Sequence, residues 1–186
     1  PKEGEVIDYS TAFIKINEDG SCDIVSPLMD HGGGTWEVAA KIAADVLQIP
    51  FDKVELSPTD TRNTGFDICT HATRGTYCGG AAIMYVAKKV REKLLEVAGR
   101  IMLEHPTELD IYRDEELGQG VVYAVGYPEK HMTIGEIAEY AKNYSWGTIC
   151  YADSYRQKNC PPCFVTHFVE VEVDTYTGQV KLERVL

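Results

Sequence analysis

A helical stripe runs through the middle of this chain and dictates what must surround it. From about Arg74 to Leu103, the residues Ile83, Val86, Val90, Leu94, Val97 and Ile101 recur at helical spacing, while Lys89, Lys93, Glu96 and Arg100 lie towards water. Such a face has to be covered by another layer. Strand-like segments flank it. Ser10 to Ile16 alternates and is rich in β-formers, Glu18-Asp19-Gly20 signals a turn, and Cys22 to Val25 reads as the returning strand of a hairpin. A second helical run extends to Gln48, with Val38, Ala39, Ile42, Ala43, Val46 and Leu47 on one face and Glu37 and Lys41 spaced as an i,i+4 pair. Pro50 stops it, and Val54 to Leu56 is a short strand. Beyond Pro106, Leu109 to Tyr112 and Gly120 to Val125 read as strands. Thr133-Ile134-Gly135-Glu136 is a capping box opening a helix to about Lys142. Trp146 to Tyr151 and Phe164 to Val173 are further strands, and Asp174-Thr175-Tyr176-Thr177-Gly178 turns the last one back through Gln179 to Val185. Most Tyr and Trp residues fall in these strands and are expected in the core. The pattern predicts an α+β fold in one domain spanning residues 1–186, with β-hairpins and mixed strands packed against two main helices and one shorter helix.

The charge balance narrows the function. With 18 basic against 29 acidic residues the chain carries −11. Such a surface repels phosphate backbones and anionic lipid, which argues against nucleic-acid and membrane partners. No apolar run approaches the ~18 residues of a membrane span, and Pro1-Lys2-Glu3-Gly4-Glu5 lacks the features of a signal peptide. The six cysteines need not form a disulfide framework in a domain of this size, so a reducing, cytoplasmic setting is expected. The chain starts at Pro1 and stops at Val185-Leu186 inside an alternating pattern, as a piece of a longer protein would.

Two helices start in unusual ways. The first follows Asp30-His31-Gly32-Gly33-Gly34-Thr35; three glycines permit a tight turn and bring bare backbone N–H groups close to a ligand. A helix N-terminus also presents free donors and a positive dipole end, which favour an anion. The second is His71-Ala72-Thr73-Arg74-Gly75-Thr76, which combines hydroxyls, a small residue and one fixed cation; Gly79-Gly80 behind it permits close helix packing. Two anion-competent turns suit a long phosphate-bearing ligand such as a dinucleotide-type cofactor, provided that both line one groove. The plainer readings are a flexible strand-to-helix turn for the Gly run, an N-cap for Thr73, and an acidic neighbour on the surface for Arg74. The Gly run is neither a P-loop nor a G-x-G-x-x-G fingerprint.

These residues resemble the molybdopterin-binding large subunit of xanthine dehydrogenase and aldehyde oxidase-type molybdenum hydroxylases. Asp30 to Thr35 is similar to the family's Gly-Gln-Gly segment. Asp60-Thr61, Thr64, Asp67 and Thr70 keep the character of its Asp/Thr loop, and Ala72 to Gly80 is similar to its Ala-Ser-Arg-x-Thr-Tyr-x-x-Gly motif. Val169 to Val180 resembles its Val-Glu-Val-Asp-x-x-Thr-Gly hairpin. The order holds from about Ser10 to Leu186. The resemblance implies a piece of the second molybdopterin-binding domain of a larger subunit. It implies a molybdenum-molybdopterin cofactor, usually the cytosine dinucleotide in bacteria, lying along the two turns. His31, Gly32, Gly33, Gly34, Thr35, Ala72, Thr73, Arg74, Gly75 and Thr76 are then its expected contacts. It further implies an oxidoreductase that hydroxylates aldehydes or N-heterocycles with oxygen from water. Electrons would leave through 2Fe-2S centres to FAD on other domains or subunits. The expected partners are therefore the rest of the molybdopterin subunit and the iron–sulfur and flavin parts, with self-association also open. Departures are Gly33 for the family's Gln, Thr73 for its Ser, and Ala81 for its Asn or Gln. The family's Glu base lies in a downstream motif outside this chain. No catalytic residue or metal ligand is assigned here, and the isolated chain is expected to be apo and inactive.

Other readings stay open. A non-catalytic binding or assembly domain of the same fold accords with Gly33. Cys160-Pro161-Pro162-Cys163 is a lone C-x-x-C, which suits redox or zinc chemistry or two strand-start cysteines about a turn. His31 and His71 stand beside the two turns and could touch a ligand or merely cap the surface.

Overall fold

The computed structural model describes residues 8–157, 159, 162 and 164–186. A hairpin starts the fold: β1 (Tyr9–Ile16) pairs antiparallel with β2 (Cys22–Val25), Phe13 opposite Val25 and Ile16 opposite Cys22. Alternation points Ser10, Ala12, Ile14 and Ile16 into the core. The chain then crosses over through α1 (Thr35–Leu47) to β3 (Val54–Leu56), which runs parallel to β2, as a parallel pair requires. A π-helical turn (Gly75–Gly79) leads into α2 (Gly80–Met102), the predicted long helix. Its stripe holds: Ile83, Val86, Val90 and Leu94 are fully buried. Helix α2 packs on α1, on β1 and on β7 (Cys150–Arg156), which adds to the other side of β1 and makes a four-stranded sheet of order β3-β2-β1-β7.

A second, three-stranded meander comprises β4 (Leu109–Asp114), β5 (Gln119–Ala124) and β6 (Tyr127–Thr133), with α3 (Ile134–Asn143) packed against β5 and β6. The predicted capping box forms: the Thr133 hydroxyl accepts from the Glu136 N–H, and the Glu136 carboxylate accepts from the Thr133 N–H. Strand β6 carried no alternation in the sequence. It is an edge strand containing Pro128, tolerated because an edge leaves an N–H side unpaired. The strand expected over Trp146 to Tyr151 begins only at Cys150. Ser145 and Gly147 take left-handed conformations, and the Trp146 N–H closes the end of α3 on the Ala141 carbonyl.

The last hairpin, β8 (Val169–Val173) and β9 (Val180–Val185), is exposed along its length, and the strand expected from Phe164 is regular only from Val169. The expectation that Tyr and Trp form the core is corrected. Tyr127, Tyr144 and Tyr176 are 64%, 58% and 98% exposed, because they lie on an edge strand, a helix end and a turn. Of the Tyr and Trp residues partly buried against the core, Trp36 and Tyr85 sit on helices and Tyr151 on β7. Among the described residues no helix is long and apolar enough to cross a membrane.

Candidate functional site

The first turn is built around its own carboxylate. Gly32 and Gly34 have φ of 91° and 73°, left-handed values that favour glycine. Their N–H groups donate to Asp30 Oδ1 at 2.8 and 3.2 Å, and the Trp36 N–H donates to Oδ2 at 3.4 Å. Burial works to raise the Asp30 pKa, but the amides of Gly32, Trp36, Gly34 and Gly33 outweigh it and hold the carboxyl below its usual range. The amides of Gly32 and Gly34 ahead of α1 and of Trp36 in its first turn, expected to face a ligand, are thus taken by Asp30. It acts as an internal anion at the helix N-terminus.

The second turn is tied to the first and to the core. Thr59 and Thr70 donate to the carbonyls of Leu28 and Met29 at 2.8 and 3.0 Å, joining the loop to the strand-to-helix connection. Arg74 is 6% exposed, and its guanidinium turns inward. Nε and Nη2 reach Asp8 Oδ1 at 3.0 and 2.9 Å, and Nη1 reaches Asp67 Oδ1 at 2.6 Å and the Cys69 carbonyl at 2.7 Å. Nη2 also lies 3.3 Å from Asp67 Oδ2, so all five donors of the fork are placed. Burial works to lower the Arg74 pKa; the hydrogen bonds and charges of Asp67 and Asp8 override it and raise the value. Arg74 therefore takes the acidic-neighbour reading, and the pair is buried rather than on the surface. Its side chain does not serve as a free cation in the groove.

Between the turns lies one groove of about 400 Å³. His31, Gly33 and Thr35 line it from the first turn, and Ala72, Thr73, Gly75 and Thr76 from the second. Gly32, Gly34 and Arg74, also expected as contacts, are not among its described lining residues. The backbone of the two glycines is folded onto Asp30, and Arg74 is committed to the core. Thr70 and His71 join the lining. Only the position of His71 beside the turn hinted at this, and the pairing of Thr70 with Met29 had no sequence signal. Ala72 takes a left-handed φ of 46°, which costs a non-glycine residue strain at the groove wall. A Cβ on Gly75 would stand 3.6 Å from Thr35 and from Thr70, in van der Waals reach of two sides of the groove. The two turns thus converge despite the long stretch between them.

The model of the molybdopterin cofactor-binding domain matches residues 2–186. The chain belongs to the molybdopterin cofactor-binding domain family. Among curated relatives, "Probable hypoxanthine oxidase XdhD" of Escherichia coli K12 is 31% identical over 180 residues, 96% of this chain and 18% of that protein. The nicotine 6-hydroxylase large subunit of Paenarthrobacter nicotinovorans is 28% identical over 186 residues, 95% of this chain and 22% of that protein. The molybdopterin-binding domain described here therefore spans a small part of its relatives' length. The same fold occurs in CO dehydrogenase from Oligotropha carboxidovorans, with a TM-score of 0.80 at 24% identity over 98% of this chain and 22% of that one. It occurs also in quinoline 2-oxidoreductase from Pseudomonas putida 86, with a TM-score of 0.77 at 24% identity over 95% of this chain and 22% of that one.

Elsewhere in this molybdopterin-binding domain, burial pushes the thiol of Cys22 up to about 12, and burial together with Asp8 pushes that of Cys78 up to about 11. Neither is poised as a thiolate nucleophile. Among the described residues no group of three His, Cys, Asp or Glu is placed to hold a metal ion. Cys160 and Cys163 lie outside the described residues.

Proposed function

We propose that this chain supplies one wall of the molybdopterin site in a larger oxidoreductase of the xanthine dehydrogenase type, which hydroxylates N-heterocycles or aldehydes with oxygen from water. The observation that carries the reading is the convergence of the two turns on one groove, in a chain that the family model matches almost throughout. The donor set fits the group. A pterin edge and its phosphates need hydrogen-bond partners and close backbone approach. The lining brings threonines to the groove at Thr35, Thr70, Thr73 and Thr76 and, at Gly33, a backbone with nothing within 4 Å of where a Cβ would stand.

When bound, the molybdenum centre supplies the oxidation chemistry. The work of this chain is to hold and orient the cofactor. Arg74 acts at one remove: by fastening Asp67, Cys69 and Asp8 it sets the position of Thr73, Gly75 and Thr76. The cofactor in this reading is the cytosine dinucleotide form, and electrons pass to 2Fe-2S and FAD on other domains or subunits. The base is carried by another part of the subunit, so the isolated chain turns over neither purines nor aldehydes with an artificial electron acceptor.

In the intact subunit that carries this chain, whose other parts complete the site, titrating purified molybdopterin into the apo-protein, read by the pterin's own fluorescence, should give saturable binding. Thr76→Trp, which fills the groove from an exposed position, should weaken that binding about ten-fold or more, on the order of 1.4 kcal/mol. Absence of saturable binding, or equal binding by the variant, overturns the reading.

A further inference from the structure

We propose that His31 and His71 are the cationic contacts of this groove to phosphate, and that they make retention of a phosphate-bearing ligand depend on pH. The inference rests on the reading of the groove as a cofactor site and deepens it. Three observations carry it. Arg74, the fixed cation of the second turn, is turned into the core and spent on Asp67 and Asp8. The amides of the first turn already serve an anion, Asp30. Among the described lining residues there is no Asp, Glu, Lys or Arg, whereas an exposed histidine reaches the groove from each turn.

The surrounding charges do not substitute for the imidazoles. Asp30, beside His31, is held by backbone N–H groups. Asp67, which precedes His71 in the loop, is closed off with Arg74, its side chain 3% exposed. On α1, Glu37 pairs with Lys41 on the outer face. In a protein of −11, the described residues lining this groove offer an anion positive charge where an imidazole is protonated. Imidazole is the side chain that changes charge between about pH 5 and 8. A protonated ring donates a charge-assisted hydrogen bond to a phosphate oxygen, stronger than a neutral one. Loss of the proton removes that charge while leaving the threonines of the lining in place. Affinity should therefore fall as pH rises.

The test uses the full chain and dicytidine 5′-pyrophosphate, whose esterified phosphates keep a constant charge over this range. Isothermal titration at about pH 5.5 and pH 8 should show affinity about ten-fold or more weaker at the higher pH. His31→Gln and His71→Gln should each remove part of the difference. The double variant should bind weakly and equally at both pH values, with its thermal midpoint unchanged because both side chains are exposed. Equal affinity of the unmodified chain at both pH values, or a slope that survives in the double variant, overturns the histidine inference and leaves the groove reading standing. No saturable binding at either pH overturns both.

Discussion

At the first turn, Gly32 and Gly34 hold left-handed backbone, and a methyl group at either would meet nothing within 4 Å. At the second, the reverse holds. Gly79 and Gly80 have ordinary helical backbone, but a Cβ at Gly79 would run into Leu28, and one at Gly80 would stand 2.8 Å from Ile42 Cδ1. Charge follows the same division. Asp30 is satisfied by amides two to six residues away, whereas Arg74 reaches Asp8 across 66 residues. The first turn is thus a local object, made by backbone conformation and short-range hydrogen bonds. The second is placed by packing on Leu28 and Ile42 and by Arg74, which pairs with the buried Asp67 seven residues back and reaches across the fold to the half-exposed Asp8. Substitutions should separate the two.

The largest effect belongs to the ion pair. Arg74→Met keeps an unbranched stem but removes the guanidinium, leaving the Asp67 carboxylate buried without its partner. Breaking a buried pair from one side costs about 3–5 kcal/mol. Urea unfolding should register that loss, with hydrogen exchange in residues 66–76 accelerating beyond the rest of the chain. A loss under about 1 kcal/mol, of the size seen for exposed pairs, would mean the second turn is held by something else.

Next comes the close approach behind the turn. Gly79→Ala forces a methyl against Leu28, which is itself 1% exposed. Overpacking of this kind costs about 1–3 kcal/mol. The combined Gly79→Ala and Leu28→Ala variant should be more stable than the sum of the two single losses predicts, since the second change makes room for the first. Strict additivity in thermal unfolding would contradict a direct clash.

The same division explains how much was legible beforehand. Ser10 to Ile16 and the capping box at Thr133 declare themselves because alternation and capping are local signals. The polar edge strand over Tyr127–Thr133, with Pro128 inside it, sends none. At the site, the residues of both turns were found through their glycines and threonines; an acidic neighbour was one of two open readings for Arg74, but the burial of that pair was not foreseen. A cation at a helix start is visible in the sequence; which anion claims it is decided by Asp8 and Asp67, brought near by the fold. Asp30 was within reach of local reasoning, since an Asp ahead of glycines is a turn and capping residue. The convergence of the two turns was expected only on the condition that both hold one ligand; the anchoring of the loop through Thr59 and Thr70 that brings it about was not legible.

The smallest effect is the sharpest discriminator within the first turn. Gly33 is flanked by Gly32 and Gly34 but shares neither their left-handed backbone nor any neighbour that a Cβ would touch. Nothing in the fold therefore requires glycine here, and the resembling segment of the hydroxylases carries Gln at this position. Gly33→Gln should leave stability within about 0.5 kcal/mol of the parent, as for other surface substitutions. Gly34→Ala, one residue on, must hold an L-residue at φ 73° and should cost about 1–2 kcal/mol. Chemical denaturation of the two variants side by side tests whether the first turn is governed by conformation alone. If Gly33→Gln cost as much as Gly34→Ala, the run would be a packing element like Gly79-Gly80, and the contrast between the turns would fail. If it costs nothing, the space over Gly33 belongs to the groove rather than to the fold, because a side chain of that size is accommodated only where the protein's own atoms leave room.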